Sequence, residues 1–131
     1  MKEVFEFLKN AGVYYLATID NGQPRVRPFG TINIYQGKLY IQTGKKKDVS
    51  KQMKKNPKIE ISAMYNGDWI RLEADAYLED DIKAEESMLD NYPSLKAMYQ
   101  PGDGNTEVFY LSNVVATISS FTKATKVIKW N

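Results

Sequence analysis

Apolar and polar residues alternate over short runs along most of this chain, the period of two that marks strands. Val13 to Ile19 is aromatic and β-branched. Asp20-Asn21-Gly22 follows as a hairpin turn, because Asn-Gly readily takes positive φ. A second strand is predicted over Pro24–Tyr35, Gln36-Gly37-Lys38 turns the chain, and a third strand covers Leu39–Thr43. Ile59–Tyr65 and Trp69–Glu79 pair around Asn66-Gly67-Asp68. In the longer of the two, Ile70, Leu72, Ala74, Ala76 and Leu78 share one face; Trp69, Arg71, Glu73, Asp75 and Tyr77 share the other. Val108–Leu111, Val114–Phe121 and a short tail strand at Lys126–Trp130 follow.

Helical spacing interrupts this pattern. Residues 2–10 put Val4, Phe5 and Leu8 on one face and end at Asn10-Ala11-Gly12. A second helix spans Asp48–Lys55 and stops at Asn56-Pro57, since a residue before proline avoids the helical region. Asp80–Asn91 is an acidic amphipathic helix, and Pro93 starts another, Ser94–Tyr99. Pro101 to Asn105 reads as a loop. The expectation is a mainly β fold: a six-stranded antiparallel barrel in one domain, residues 1–131, with helices inserted after the third and fifth strands. The strand Val13–Ile19 is apolar on both faces, yet a small barrel has one interior. A second subunit is expected to cover the other face, giving a twofold homodimer.

The chain has neither Cys nor His. That excludes thiol chemistry, disulfides, Cys/His zinc sites, histidine acid–base work and a His or Cys axial ligand for haem. Redox chemistry here would have to come from a borrowed cofactor. No apolar run approaches the ~20 residues that span a bilayer. The acidic N-terminus lacks the pattern of a signal peptide, so the protein is expected in the cytoplasm.

Net charge is +2, but residues 45–58 hold seven lysines against one acid, Asp48; that block carries +6 and the remainder −4. Such concentration suggests a local anion site. Nucleic-acid binding fits less well, because no aromatic residue stands between Gly44 and Asn56 to stack a base. The segment Thr43-Gly44-Lys45-Lys46-Lys47-Asp48 leaves a strand, turns, and enters a helix whose N-terminal N–H groups attract phosphate. It is not a Walker loop, since the second glycine and the Gly-Lys-Ser/Thr ending are missing. Two further candidates are Pro24-Arg25-Val26-Arg27-Pro28-Phe29-Gly30, where the prolines break ladder pairing and Arg25 and Arg27 share a face, and Trp69 with Arg71. A solvated basic loop, an edge strand and an indole packed under a helix are the plain readings of these three.

GQPRVRPFG at 22–30, KLYIQTGKKKDVSKQMKKNPKIEIS at 38–62 and WIRLEADAYLEDD at 69–81, in that order and spacing, resemble the pyridoxamine 5'-phosphate oxidase-like FMN-binding split-barrel family. The short nitroimidazole-resistance-type flavoproteins of that family are nearest in length. The resemblance implies a split barrel, and FMN in a groove between two subunits. It places Arg25, Val26 and Arg27 near the flavin or its phosphate, and Pro28, Phe29 and Gly30 against the ring. Gln42 and Thr43 fall beside the ring and ribityl chain. Lys45, Lys46 or Lys47 falls on the phosphate, and Trp69 of the partner subunit near the flavin. It implies an FMN-dependent reductase or oxidase of a small organic molecule, with a nicotinamide nucleotide as a possible donor; a non-catalytic flavin carrier or sensor is the alternative. Deazaflavin-binding proteins share the fold. The histidines of the true oxidases and of the nitroimidazole-resistance proteins are absent here, which argues against pyridoxamine phosphate oxidation.

Overall fold

The computed structural model describes residues 1–131. The elements run α1 (Lys2–Ala11), β1 (Tyr14–Asp20), β2 (Gln23–Phe29), β3 (Asn33–Tyr35), β4 (Lys38–Gly44), α2 (Asp48–Lys55), β5 (Lys58–Tyr65), β6 (Asp68–Glu79), α3 (Ile82–Asn91), a 3-10 helix (Pro93–Ala97), β7 (Thr106–Ser119) and β8 (Lys126–Trp130). All pairings are antiparallel, in the order β2-β1-β5-β6-β7-β4-β3, with β8 added to β7. The sheet coils without closing and leaves β2 and β3 as its ends.

The predicted fold class holds, with eight strands where six were expected. Pro24–Tyr35 is two strands, because pairing stops at Phe29 and the chain crosses from one end of the sheet to the other through Gly30–Ile32. Val108–Leu111 and Val114–Phe121 are a single strand, β7, which absorbs a kink at Asn113 (φ 51°). Opposite that kink the β6 register shifts between Glu73 and Asp75. This bulge defeats the simple alternation in β6. Asp75, expected outside, is buried, and its carboxylate accepts from Asn113 Nδ2 at 2.8 Å and pairs with Lys58 at 3.0 Å. Ser94–Tyr99 is a shorter 3-10 helix. Tight turns at Asn21-Gly22 and Asn66-Gly67 have both residues at positive φ, the twist that two-residue hairpins need.

The core fills the inside of the coiled sheet. Leu16, Ile41, Ile61, Ile70, Leu72 and Phe109 are fully buried there. Val4 and Leu8 of α1 and Val49 and Met53 of α2 join the same cluster. A smaller cluster, Tyr40, Ala84, Met88 and Val108, seats α3 against β4 and β7. The consequence for the site is that α2 presents its N-terminus between β4 and the end of β2. No helix is long and apolar enough to cross a membrane.

Candidate functional site

Two hollows meet beside the N-terminus of α2. The first is a cavity of about 180 Å³ lined by Pro28, Phe29, Gly30, Thr31, Gln42, Thr43, Lys47, Leu95, Met98 and Tyr99. The second is a groove of about 530 Å³ lined by Asp20, Arg25, Val26, Arg27, Lys47, Asp48, Val49 and Gln52. Lys47 belongs to both. The first hollow mixes polar and apolar walls, and the second is edged by three cations and two carboxylates.

The cavity's walls are held by hydrogen bonds reaching far along the chain. Tyr14 is fully buried and its hydroxyl donates to Thr31 O at 2.5 Å. Burial raises the Tyr14 pKa well above the ordinary phenol value, so the group stays a neutral donor. Thr31 Oγ1 accepts from Gln42 N at 3.0 Å, tying the crossing segment to β4. Tyr92 Oη accepts from Ile32 N at 3.0 Å and donates to Ile32 O at 3.2 Å. The 3-10 helix that follows carries Leu95, and with Met98 and Tyr99 it forms the outer wall. Gly44 packs closely against this wall: a Cβ there would stand 3.0 Å from Tyr99 Oη and 3.4 Å from Asn105 Oδ1, so the tyrosine would have to shift to admit it.

In the groove, Arg27 is clamped. Its Nη1 donates to Thr18 Oγ1 at 2.8 Å and to Leu16 O at 3.3 Å, and its Nη2 donates to Gln52 Oε1 at 2.6 Å. Thr18 Oγ1 also donates to Gln52 Oε1 at 2.5 Å. Burial lowers the Arg27 pKa, an effect that Asp48 opposes and Arg25 reinforces; the guanidinium remains a cation. Arg25 is exposed and pairs with Asp20 at 3.2 Å.

The lysine block divides in two. Lys45, Lys46, Lys47 and Lys51 are exposed and make no ion pair or side-chain hydrogen bond. Lys54 donates to Glu107 Oε2 at 2.6 Å, Lys55 to Asn21 Oδ1 at 2.9 Å, and Lys58 pairs with Asp75. Glu107 also accepts from buried Ser50 and so binds α2 to β7. Lys47 is the N-cap of α2, and no side chain caps that end. Its first N–H groups therefore face the junction of the two hollows unpartnered, alongside the free lysines.

The structure brings Arg25, Val26, Arg27, Pro28, Phe29, Gln42, Thr43 and Lys47 around these two hollows. Lys45 and Lys46 flank them in the turn. Trp69 is elsewhere within the subunit: it lines a separate cleft with Glu60, Arg71, Glu73, Val115, Thr117 and Ser119. The sequence reading missed Thr18 and Gln52, which hold Arg27, and Thr31, Leu95, Met98 and Tyr99, which complete the cavity. Leu95, Met98 and Tyr99 lie some fifty residues past β4 in the sequence, and no local pattern marks them.

The set of groups fits a phosphate-bearing aromatic cofactor: a clamped arginine, unpaired lysines and free helix amides at one end, proline, phenylalanine, leucine and methionine at the other. Residues 1–113 match the family described as pyridoxamine 5'-phosphate oxidase. The chain belongs to that family. Among solved structures, a NimC/NimA family protein from Clostridium acetobutylicum shares 45% identity at a TM-score of 0.95, over 98% of this chain and 91% of that one. The general stress protein 26 of Bacillus anthracis shares 18% at a TM-score of 0.74, over 97% of each chain. An F420 reductase shares 15% at a TM-score of 0.62, over 81% of this chain and 89% of that one. The last two identities speak for the fold alone. No curated protein sequence matches the chain.

Proposed function

We propose that this member of the pyridoxamine 5'-phosphate oxidase family binds FMN and uses it to reduce or oxidise a small organic molecule. The observation that carries the reading is Lys47, which lines both the cavity walled by Pro28 and Phe29 and the groove edged by Arg25 and Arg27. A ligand bridging them would need an anionic end and an aromatic end. Arg27, Lys47 and the α2 amides would hold the phosphate, aided by Lys45, Lys46 and Arg25. Pro28, Phe29, Gln42 and Thr43 would border the ring. When bound, the flavin supplies hydride exchange; the protein binds it, orients it and keeps positive charge beside it. A nicotinamide nucleotide would serve as the donor. A second copy of the chain would complete the site with Trp69.

The test is a titration of purified, flavin-free protein with FMN, followed by quenching of flavin fluorescence. Saturation at one flavin per chain is expected, with Lys47→Ala weakening it about tenfold, the loss of one charge-assisted contact. A parallel titration with F420 distinguishes the deazaflavin. A protein that binds neither compound sinks the reading.

A further inference from the structure

Tyr99 lines the cavity and is only 8% exposed. It is the one buried tyrosine at that wall, and its hydroxyl makes no hydrogen bond within the protein, unlike those of Tyr14, Tyr40 and Tyr92. The oxygen is not sealed, whereas the neighbouring Asn105 Oδ1 is sealed and also lacks a partner. Both atoms crowd the space over Gly44. A buried phenol left unpartnered at the edge of a cavity points to a ligand that accepts its proton or its hydrogen bond.

The segment around Tyr99 is built to hold it still. Tyr99 N donates to Leu95 O at 2.9 Å. The Asp103 carboxylate accepts from Gln100 N at 3.0 Å, Asn105 N at 2.7 Å and Thr106 N at 2.6 Å. Thr106 Oγ1 then donates back to Gln100 O at 3.1 Å.

An inventory of proton donors in the cavity is short. The chain has no His or Cys, and no carboxylate lines the cavity. Gln42 Nε2 is engaged with Thr43 O, and the threonine hydroxyls are far too weak as acids. Lys47 and Tyr99 remain, and Lys47 is taken by the phosphate in the reading above, on which this inference rests.

We propose that Tyr99 is a catalytic acid and that the acceptor is a small uncharged molecule with a carbon–carbon double bond conjugated to a carbonyl. Reduced flavin, when bound, supplies the hydride. The β-carbon of the acceptor takes that hydride, the C=C π bond breaks, and the electron pair moves to the α-carbon and carbonyl. The α-carbon takes the Tyr99 proton, and the tyrosinate recovers a proton from water. A positioned tyrosine hydroxyl is one of the side chains that serve as general acids. Leu95 and Met98, beside Tyr99 on the outer wall, offer the acceptor an apolar surface across from the residues that border the ring.

The experiment compares the flavin-loaded protein with Tyr99→Phe, a change that removes an unbonded hydroxyl and leaves the packing intact. Chemically reduced protein is mixed anaerobically with cyclohexenone or with ferricyanide, an acceptor of electrons alone. Binding of cyclohexanone to the oxidised protein is measured by calorimetry. The expected result is reoxidation by cyclohexenone about 100-fold slower in the variant, with ferricyanide unaffected. Cyclohexanone should bind about fivefold more weakly, the worth of one neutral hydrogen bond. Equal cyclohexenone rates in the two proteins overturn the role of Tyr99. So does an equal slowing with ferricyanide, which marks a disturbed site. Failure of the wild-type chain to take up flavin overturns the proposed function as well, and the titration above separates that case.

Discussion

Arg27 shows what one side chain does at this site. Its guanidinium bridges Thr18 on β1 and Gln52 on α2, so the same group that faces the groove also fixes the helix that borders it. Arg27→Ala should cost about 1–2 kcal/mol of stability in urea unfolding, because Thr18 and Gln52 keep each other as partners. It should weaken FMN by at least tenfold. Arg27→Lys should not restore binding, since an ammonium cannot span both partners in one plane. Lys54→Ala and Lys55→Ala should leave flavin affinity within twofold, as these lysines face Glu107 and Asn21. The sequence shows seven lysines in a row of fourteen residues as one block, and it marks Arg27 as a candidate. It cannot separate the free lysines from the paired ones, because Glu107 and Asp75 come from strands β7 and β6, brought there only by the coiled sheet.

At the scale of elements, strands and turns were legible where the signal is local. Asn-Gly turns, the strand β4, the helix α2 and its stop at Asn56-Pro57 follow from residues within a few positions. The bulge joining Asp75 and Asn113 was not legible, since it is a pairing between residues thirty-eight apart. The loop from Gln100 to Thr106 is a similar case: it reads as a glycine-rich connection, yet Asp103 organises it through three backbone N–H groups. These bonds lower the Asp103 pKa to about 2 from an ordinary value near 3.8. A carboxylate with a depressed folded-state pKa contributes stability above its unfolded pKa and loses that contribution as pH falls through the folded one. Asp103→Asn should therefore lower the melting temperature by several degrees at pH 7, and the difference should shrink between about pH 4 and pH 2. A gap between the two melting curves that stays constant over that range would refute this account. Since Tyr99 precedes the loop by one residue, the same variant should also mobilise the outer wall of the cavity, seen as faster amide exchange at residues 98–106.

On the scale of the whole molecule, the outer face of the sheet is the unresolved demand. Strand pairing lines up Pro28, Tyr15, Ser62, Arg71, Thr117 and Val127 as one outward row. The next row is Val26, Ala17, Glu60, Glu73, Val115 and Lys129. Tyr15, Met64 and Val26 stand 53%, 68% and 69% exposed on this face, apolar side chains that a partner could cover. Glu60 and Glu73 lie beside Arg71 and Lys129, so the face carries both signs and can complement a copy of itself under twofold symmetry. Pro28 belongs to this face and to the cavity, and Trp69 lies on the same face across the sheet. A second copy seated with its β7–β8 side over β2 would bring its own Trp69 towards the cavity. Light scattering should then give about twice the 15.0 kDa chain mass. Tyr15→Arg combined with Met64→Arg should produce folded monomers that bind FMN at least tenfold more weakly, although Arg27 and Lys47 are untouched. Trp69→Ala should weaken FMN while leaving the dimer intact. Monomers that keep full flavin affinity would mean that one subunit holds the whole site, and the exposed face would then need a different partner.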